Sequence, residues 1–225
     1  MTGIVTQLLD AYGFLLAHLD RFLTLLQQHL VLVLVSEVLA IAIAVPLGVV
    51  AVRNDRAKSV ILGTGNVAQT IPTLAIIALV FPILGLGFLP SMVGLFVYAL
   101  LPVLTNTITG IESVPDDTVE AAKGMGMTQN EILRRIQLPL AVPVIFAGIR
   151  TSAVINVGTA YLAYFIGGGG LGLWVISGIQ LFNTAQIMAG AIPGALLAIS
   201  LDLLFALGEQ KLGGTAIQDP SSVTG

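Results

Sequence analysis

Three ionisable residues, Glu37, Arg150 and Asp202, stand inside stretches that are otherwise apolar. Carboxylates and a guanidinium can pair, relay protons or meet a charged solute. Each also costs at least ~2.5–3.5 kcal/mol to place at the centre of a bilayer on insertion scales, so each must face protein or water. Counting from the ends of their stretches sets Arg150 and Asp202 at similar depth. A contact between them is expected, serving either to hold two helices together or to act on a passing solute. Glu37 falls nearer the middle of its stretch. Softer groups accompany these: Asn66, Gln69, Thr70, Thr73, Thr105, Asn106, Asn156 and Thr159. They suit either a wet path that binds nothing tightly or hydrogen bonds between helices. Catalytic chemistry finds no constellation here. Without cysteine there is no thiolate nucleophile or Cys-based metal site, and His18 and His29 are too separated to make one. The pattern G-x-x-x-x-G-K-[ST] is missing, so the chain cannot cradle the phosphates of ATP. Neither an enzymatic activity nor a bound metal or cofactor is expected.

The elements that must position these groups follow from composition. Charged residues make up 9% of the 225 and hydrophobic residues 56%; ordinary soluble domains carry roughly 25% charged residues. A soluble fold cannot hide so much apolar surface, whereas a bilayer makes hiding it unnecessary. The expected class is an all-α polytopic membrane protein. Five spans are placed near 30–52, 59–84, 88–111, 140–165 and 186–208. Pro46, Pro72, Pro82, Pro102, Pro143 and Pro193 fall in or at the edges of these spans, where neighbouring helices can satisfy the freed carbonyls. Gly190 and Gly194 form a small-xxx-small pair that permits close helix contact. Ahead of the spans, residues 1–28 repeat apolar positions every three or four, an amphipathic helix that lies at the membrane surface or runs on into the first span. No cleavable leader is expected, because Asp10, Asp20 and Arg21 interrupt the first 27 residues. The run Gly167–Gly170 is expected to be a flexible turn into a short helix near Trp174–Gln180. Residues 211–225 read as a polar tail, and 29–210 as the membrane domain.

Lysine and arginine placement orients the chain. Arg53, Arg56 and Lys58 follow the first span, Lys123, Arg134 and Arg135 occupy the long loop, and Lys211 follows the last span. With five spans all three groups share one side, while Gly167–Ala185 has neither Lys nor Arg. The positive-inside rule therefore predicts an external N-terminus and a cytoplasmic loop, C-terminus and tail. The net charge of −3 is small and points to no nucleic-acid partner.

That loop, 113–139, is the only long hydrophilic interruption, and it has internal order. Pro115, Asp116, Asp117 and Thr118 open a short helix with acidic residues at its positive end. Gly124 and Gly126 end it, and Thr128 caps a second helix with Glu131 three residues on, as in a capping box. Ile132, Leu133, Ile136 and Leu140 form one stripe of that second helix. Such a helix-glycine-helix projection suits the docking of a soluble partner. The loop reads Glu120-Ala121-Ala122, three residues, Gly126, nine residues, then Ile136, Leu138 and Pro139. This spacing, E-A-A-x3-G-x9-I-x-L-P, resembles the cytoplasmic coupling loop of ABC-importer permeases at every defined position. Longer strings, Gln69–Ala75, Leu101–Thr107, Ala147–Thr151 and Ala189–Pro193, resemble the osmoprotectant permeases, the membrane subunits of glycine betaine/carnitine/choline importers. The resemblance covers about residues 20–210; the run of four glycines at 167–170 departs from relatives that carry Ala or another small residue there.

The resemblance implies a type I ABC-importer transmembrane domain with five core spans and a cytoplasmic coupling helix. It implies two permease subunits, identical or homologous, two ATPase subunits that bind the ATP, and an external solute-binding protein. Glu120, Ala121, Ala122, Gly126, Ile136, Leu138 and Pro139 would then couple to the ATPase. Asn66, Gln69, Thr73, Asn106, Asn156, Glu37, Arg150 and Asp202 are the candidate path or intramembrane polar residues. Tyr98, Tyr161, Tyr164 and Trp174 mark interfaces, or offer cation–π contact if the solute is a quaternary amine. A permease for methionine or another amino acid is the nearest alternative; a channel or a membrane scaffold is the alternative of another class.

Overall fold

The structure, a computed structural model, describes residues 2–213. The helices are α1 (Thr2–Ala17), α2 (Leu19–Val52), α3 (Asp55–Thr70), α4 (Thr73–Leu84), α5 (Phe88–Glu112), α6 (Asp116–Gly124), α7 (Gln129–Ile132), α8 (Leu138–Thr159), α9 (Gly172–Gln180) and α10 (Thr184–Gly213). No strand occurs among the described residues. Four helical segments are long and apolar enough to cross a membrane: α2, α5, the continuous run Gln129–Ile166 and α10. The pair α3–α4 makes a fifth if the two are counted together. The polar tail expected at 211–225 lies, past Gly213, outside the described residues.

Several boundaries differ from the sequence expectation, each for a local reason. The helix expected at 1–28 divides at His18, whose φ of −126° and ψ of 34° leave the helical region; its second half forms the first turns of α2. At 34 residues α2 is about 51 Å long at 1.5 Å per residue, well beyond a hydrocarbon core of roughly 30 Å. The stretch 59–84 is not one rod but two helices bent by 95°. Pro72 explains the break. Ile71 before it is pushed to an extended φ of −80° and ψ of 121°, as the residue preceding a proline must be.

The core is built by α2, α5 and α8, which pack on one another, with α10 against α8. Near the loop end Ala44, Ala51, Val103, Leu104, Ile108, Ile111, Ala141 and Ile145 form one buried cluster. At the other end Leu25, Leu171, Trp174 and Ala189 form another. Glycine sets how close the rods come. A Cβ on Gly48 would sit 2.6 Å from Thr107 Cγ2, and one on Gly148 would sit 2.5 Å from Asn106 Cβ and 2.9 Å from the Pro102 carbonyl. Gly190 plays the expected part between α10 and α9, with Trp174 Cβ at 3.0 Å from its missing Cβ. Outward faces stay apolar: Val38 is 63% exposed, Leu196 58% and Leu204 63%. In water such a surface would aggregate; in lipid it is already solvated.

Gly148→Ala should destabilise the fold by ~1–3 kcal/mol through overpacking. Gly158→Ala, where nothing lies within 4 Å of the added Cβ, should stay within ~0.5 kcal/mol of the parent. Thermal unfolding in detergent compares them; equal losses would mean that the α5–α8 approach does not depend on a missing side chain.

Candidate functional site: the elbow and the intramembrane polar groups

The loop between α5 and α8 folds as an elbow of two short helices. Pro115 precedes α6 with φ −55° and ψ 136°, and Asp116 and Asp117 occupy its first turn, where the helix dipole favours anions. The far end of α6 closes in a Schellman motif. Met127 N–H donates to the Ala122 carbonyl at 3.1 Å and Gly126 N–H to the Lys123 carbonyl at 2.9 Å. This motif requires a left-handed residue just past the helix, and Gly126 supplies it with φ +80°. The x3 spacing between Ala122 and Gly126 is thus the spacing of a helix C-terminus to its glycine. Two residues later the expected capping box is present: Glu131 N–H donates to Thr128 Oγ1 at 3.4 Å, and Thr128 N–H donates to Glu131 Oε2 at 3.0 Å. Donation to the Glu131 carboxyl from the Thr128 backbone N–H, and from the Thr128 hydroxyl at 2.8 Å, holds that carboxyl below its ordinary range, with Arg135 adding attraction.

The second helix does not end before the membrane. From α7 the chain passes through a π-helical turn, Leu133–Gln137, directly into α8. Leu138 N–H donates to the Leu133 carbonyl, five residues back. Pro139 gives the physical reason: a proline offers no N–H and its ring clashes with the carbonyl four residues earlier, so a wider turn relieves both. The second half of the elbow and the span are therefore one rod. The motif residues split by exposure. Glu120, Ala121, Gly126 and Pro139 are exposed, Ala122 is buried, and Ile136 and Leu138 are half-buried. Ile132 and Leu133 anchor the elbow to the bundle at 3% and 5% exposure, whereas Leu140 of the same expected stripe is exposed. Arg53 ties the end of α2 to the elbow, its Nη2 donating to Asn130 Oδ1 at 2.8 Å. A cleft of about 320 Å³ lies beneath, lined by Val52, Arg53, Val119, Lys123, Asn130 and Gln137 among others.

The intramembrane groups sort into three kinds. Arg150 and Asp202 meet as a bidentate pair, Nε to Oδ1 at 2.5 Å and Nη2 to Oδ2 at 2.7 Å, joining α8 to α10. Glu209 lies 4.0 Å from Arg150 Nη1. The pair is about one-third exposed, so it lies at the edge of the bundle. Glu37, by contrast, is 3% exposed and belongs to the interior. Its Oε2 accepts from Ser152 Oγ at 3.0 Å and Asn156 Nδ2 at 2.9 Å, joining α2 to α8.

The amides serve the backbone. Pro102 leaves the Tyr98 carbonyl, four residues earlier, without its helical donor. Gln69 Nε2 supplies one across the gap from α3, at 3.2 Å. Asn106 Nδ2 donates to the Pro102 carbonyl at 2.9 Å. Thr73 is buried at the start of α4, and Asn66 is exposed on α3. Aromatic residues show the same economy. Trp174, 5% exposed, has its faces and edges taken by Phe14, His18 and Phe22. Tyr161 hydroxyl donates to the Gly190 carbonyl at 3.0 Å, and Tyr164 hydroxyl to Gln180 Oε1 at 3.0 Å.

With this geometry in hand the comparisons are decisive. Residues 40–213 match the family described as binding-protein-dependent transport system inner membrane component. The chain belongs to that family. It is 46% identical over 191 residues to the choline transport system permease protein OpuBB of Bacillus subtilis, covering 85% of this chain and 88% of the relative. It is 44% identical over 197 residues to the glycine betaine/carnitine/choline transport system permease protein OpuCB of the same organism, covering 88% and 91%. The osmoprotectant import permease protein OsmW of Salmonella typhimurium is 41% identical over 201 residues, covering 87% and 94%. Among solved structures, an inward-facing MetNI methionine ABC transporter superposes with a TM-score of 0.80 over 87% of this chain and 98% of that one, at 18% identity. The fold is therefore that of a type I ABC-importer transmembrane domain. This family member is a multi-pass inner-membrane transport component.

Sequence reading missed Ser152, His29 and Gln28 in this permease. Ser152 is wholly buried beside Glu37. His29 is wholly buried and bonds the Val157 carbonyl through Nε2 at 3.1 Å. Gln28 Oε1 accepts from Gly170 N–H at 3.2 Å, pinning the glycine run, in which Gly169 and Gly170 have φ of +80° and +82°. No single residue could announce these contacts, since each joins positions more than a hundred apart.

Two outcomes test the site. Because the folded Glu131 carboxyl is held below its ordinary range, its capping contribution is complete above the unfolded value and is lost as pH falls through the folded one. Amide exchange at residues 128–131, corrected for intrinsic rates, should therefore rise on acidification, and Glu131→Gln should remove that pH dependence. For the ion pair, a double-mutant cycle of Arg150→Ala and Asp202→Ala should show that the double variant loses less than the sum of the two singles. Strict additivity would mean that the contact contributes nothing.

Proposed function

We propose that this chain is the membrane-spanning subunit of an ATP-driven importer for quaternary-amine compatible solutes such as glycine betaine, choline and carnitine. The elbow carries the mechanical half of this reading: it presents an exposed Glu120–Gly126 surface on α6, joined by the short Met125–Thr128 turn to α7, which is continuous with α8. Curated relatives named for choline, glycine betaine and carnitine transport support the choice of solute. The fold likeness to a methionine transporter at 18% identity is a likeness of fold and carries no cargo.

In this mechanism two ATPase subunits bind ATP and push on Glu120, Ala121, Ala122 and Gly126. Ile136, Leu138 and Pro139 carry the motion onward from α7, because the π turn leaves no loop between α7 and α8. A second permease subunit completes the path. An external binding protein delivers the solute and favours the outward-open state through its differential affinity. The elbow and C-terminus face the cytoplasm and the N-terminus faces out, a topology that the Lys and Arg distribution supports. Asn66, exposed on α3, faces the path, whereas Gln69 and Asn106 brace backbone carbonyls beside it and Glu37, Thr73 and Asn156 hold the bundle interior. Arg150 and Asp202 steady α8 against α10 at its edge. Of residues 1–28, α1 lies against α10 at the edge of the membrane domain of 29–210, and the rest leads into its first span.

Reconstitution with candidate ATPase and binding-protein partners tests this directly. Uptake of labelled betaine, choline or carnitine should require ATP; ATP-independent flux would overturn the importer reading, and uptake of methionine alone would overturn the solute. Gly126→Asp should abolish ATP-driven uptake while the protein stays in the membrane, since a side chain at φ +80° breaks the C-terminal motif. Normal uptake by that variant would mean that the elbow is not where force enters.

A further inference from the structure

Glu37 poses a problem of hydrogen counting that the pairing described above leaves open. Ser152 Oγ lies 3.0 Å from Glu37 Oε2 and 3.1 Å from the Ala99 carbonyl, both acceptors when Glu37 is ionised. A serine hydroxyl has one hydrogen and cannot serve both. Two more acceptors nearby, Glu37 Oε1 and Asn156 Oδ1, are buried with no donor at all. The group has more acceptors than hydrogens, and one added proton on Glu37 Oε2 is enough to let Ser152 bridge both of its neighbours.

No cation among the described residues makes up the charge. The ion pairs among the described residues are Lys58–Glu112, Arg150–Asp202 and Arg150–Glu209, and none involves Glu37. Around it, α2 itself carries His29, bonded to Val157. On α5 stand Tyr98 and Glu112, and on α8 Arg150. The 3₁₀ segment Ala160–Ile166 carries Tyr161 and Tyr164, α3 carries Asp55, Arg56 and Lys58, and α1 carries Asp10 and Tyr12. None of these side chains bonds Glu37, whose partners are Ser152 and Asn156. A carboxylate buried to this extent without a cation is so unfavourable that such groups are found neutral instead.

We propose that Glu37 is a proton-binding site. Its carboxyl carries a proton in this conformation and donates through Oε2 to Ser152 Oγ, and Ser152 passes its own hydrogen to the Ala99 carbonyl. All three helices of the core then share one directed chain of hydrogen bonds, α2 to α8 to α5. Asn156 Nδ2 continues to donate to Glu37. Loss of the proton leaves a bare carboxylate that must gain water, which it can do only if α2 moves away from α5 and α8. The proton therefore acts as a ligand that favours the closed packing of these helices, by its greater affinity for that state.

Infrared spectroscopy on the purified full-length chain tests this without any transport assay. At neutral pH the wild type should show a carbonyl stretch of a protonated carboxylic acid that shifts in deuterium oxide. Glu37→Gln should lack the band and Asp202→Asn should retain it. Ser152→Ala, which keeps the acid but removes its acceptor, should move the band to higher frequency, and this holds even if Glu37→Gln fails to fold. Amide exchange in α2 and α8, corrected for intrinsic rates, should rise at alkaline pH in the wild type and stay flat in Glu37→Gln. Absence of the acid band at neutral pH, a band unmoved by Ser152→Ala, or an equal alkaline rise in Glu37→Gln would overturn the proposal.

Discussion

Everything in this molecule depends on three rods, α2, α5 and α8, approaching closely in a medium that offers no water to unsatisfied groups. The hydrophobic effect does not drive helices together inside lipid, so contact must come from close packing and from hydrogen bonds. Gly48 against Thr107 and Gly148 against Asn106 and Pro102 supply the first. Glu37, Ser152 and Asn156 supply the second. The same rule governs the prolines. Pro102 frees a carbonyl, and Gln69 from another helix bonds it, so a residue that weakens α5 also fastens α3 to it.

The elbow extends this rigid assembly beyond its apolar part. Its parts are local: a proline entry, two acidic residues on the first turn, a Schellman glycine and a capping box. Each satisfies backbone groups that a short helix would otherwise leave open. Stiffness in the second half comes from continuity through the π turn into α8. That helix holds Arg150, Ser152 and Asn156 in turn.

Much of this was legible in the chain. The Thr128–Glu131 box, the Pro115 start and the Gly126 stop involve residues three to five apart, and their chemistry is written in the sequence between them. The Arg150–Asp202 contact was legible too, because two opposite charges at equal depth in lipid have few other partners. What could not be read is instructive. The stretch 59–84 passes any test of apolar length, yet Pro72 bends it by 95°. Whether a proline in a span kinks, breaks or is absorbed depends on what stands beside it. Pro102 is absorbed within α5, and Pro72 is not.

By itself the sequence determined the class, the apolar stretches, the placement of basic residues and the design of the elbow, because these rest on composition and on contacts within a few residues. Tertiary structure alone decided what the polar groups inside the bundle do. Gln69 became a donor to an orphaned carbonyl, Trp174 became core rather than a platform for a cation, and Glu37 found Ser152 and Asn156 more than a hundred residues away. A polar side chain in lipid must find a partner, and the sequence states that need. Only the packing of the rods states who the partner is.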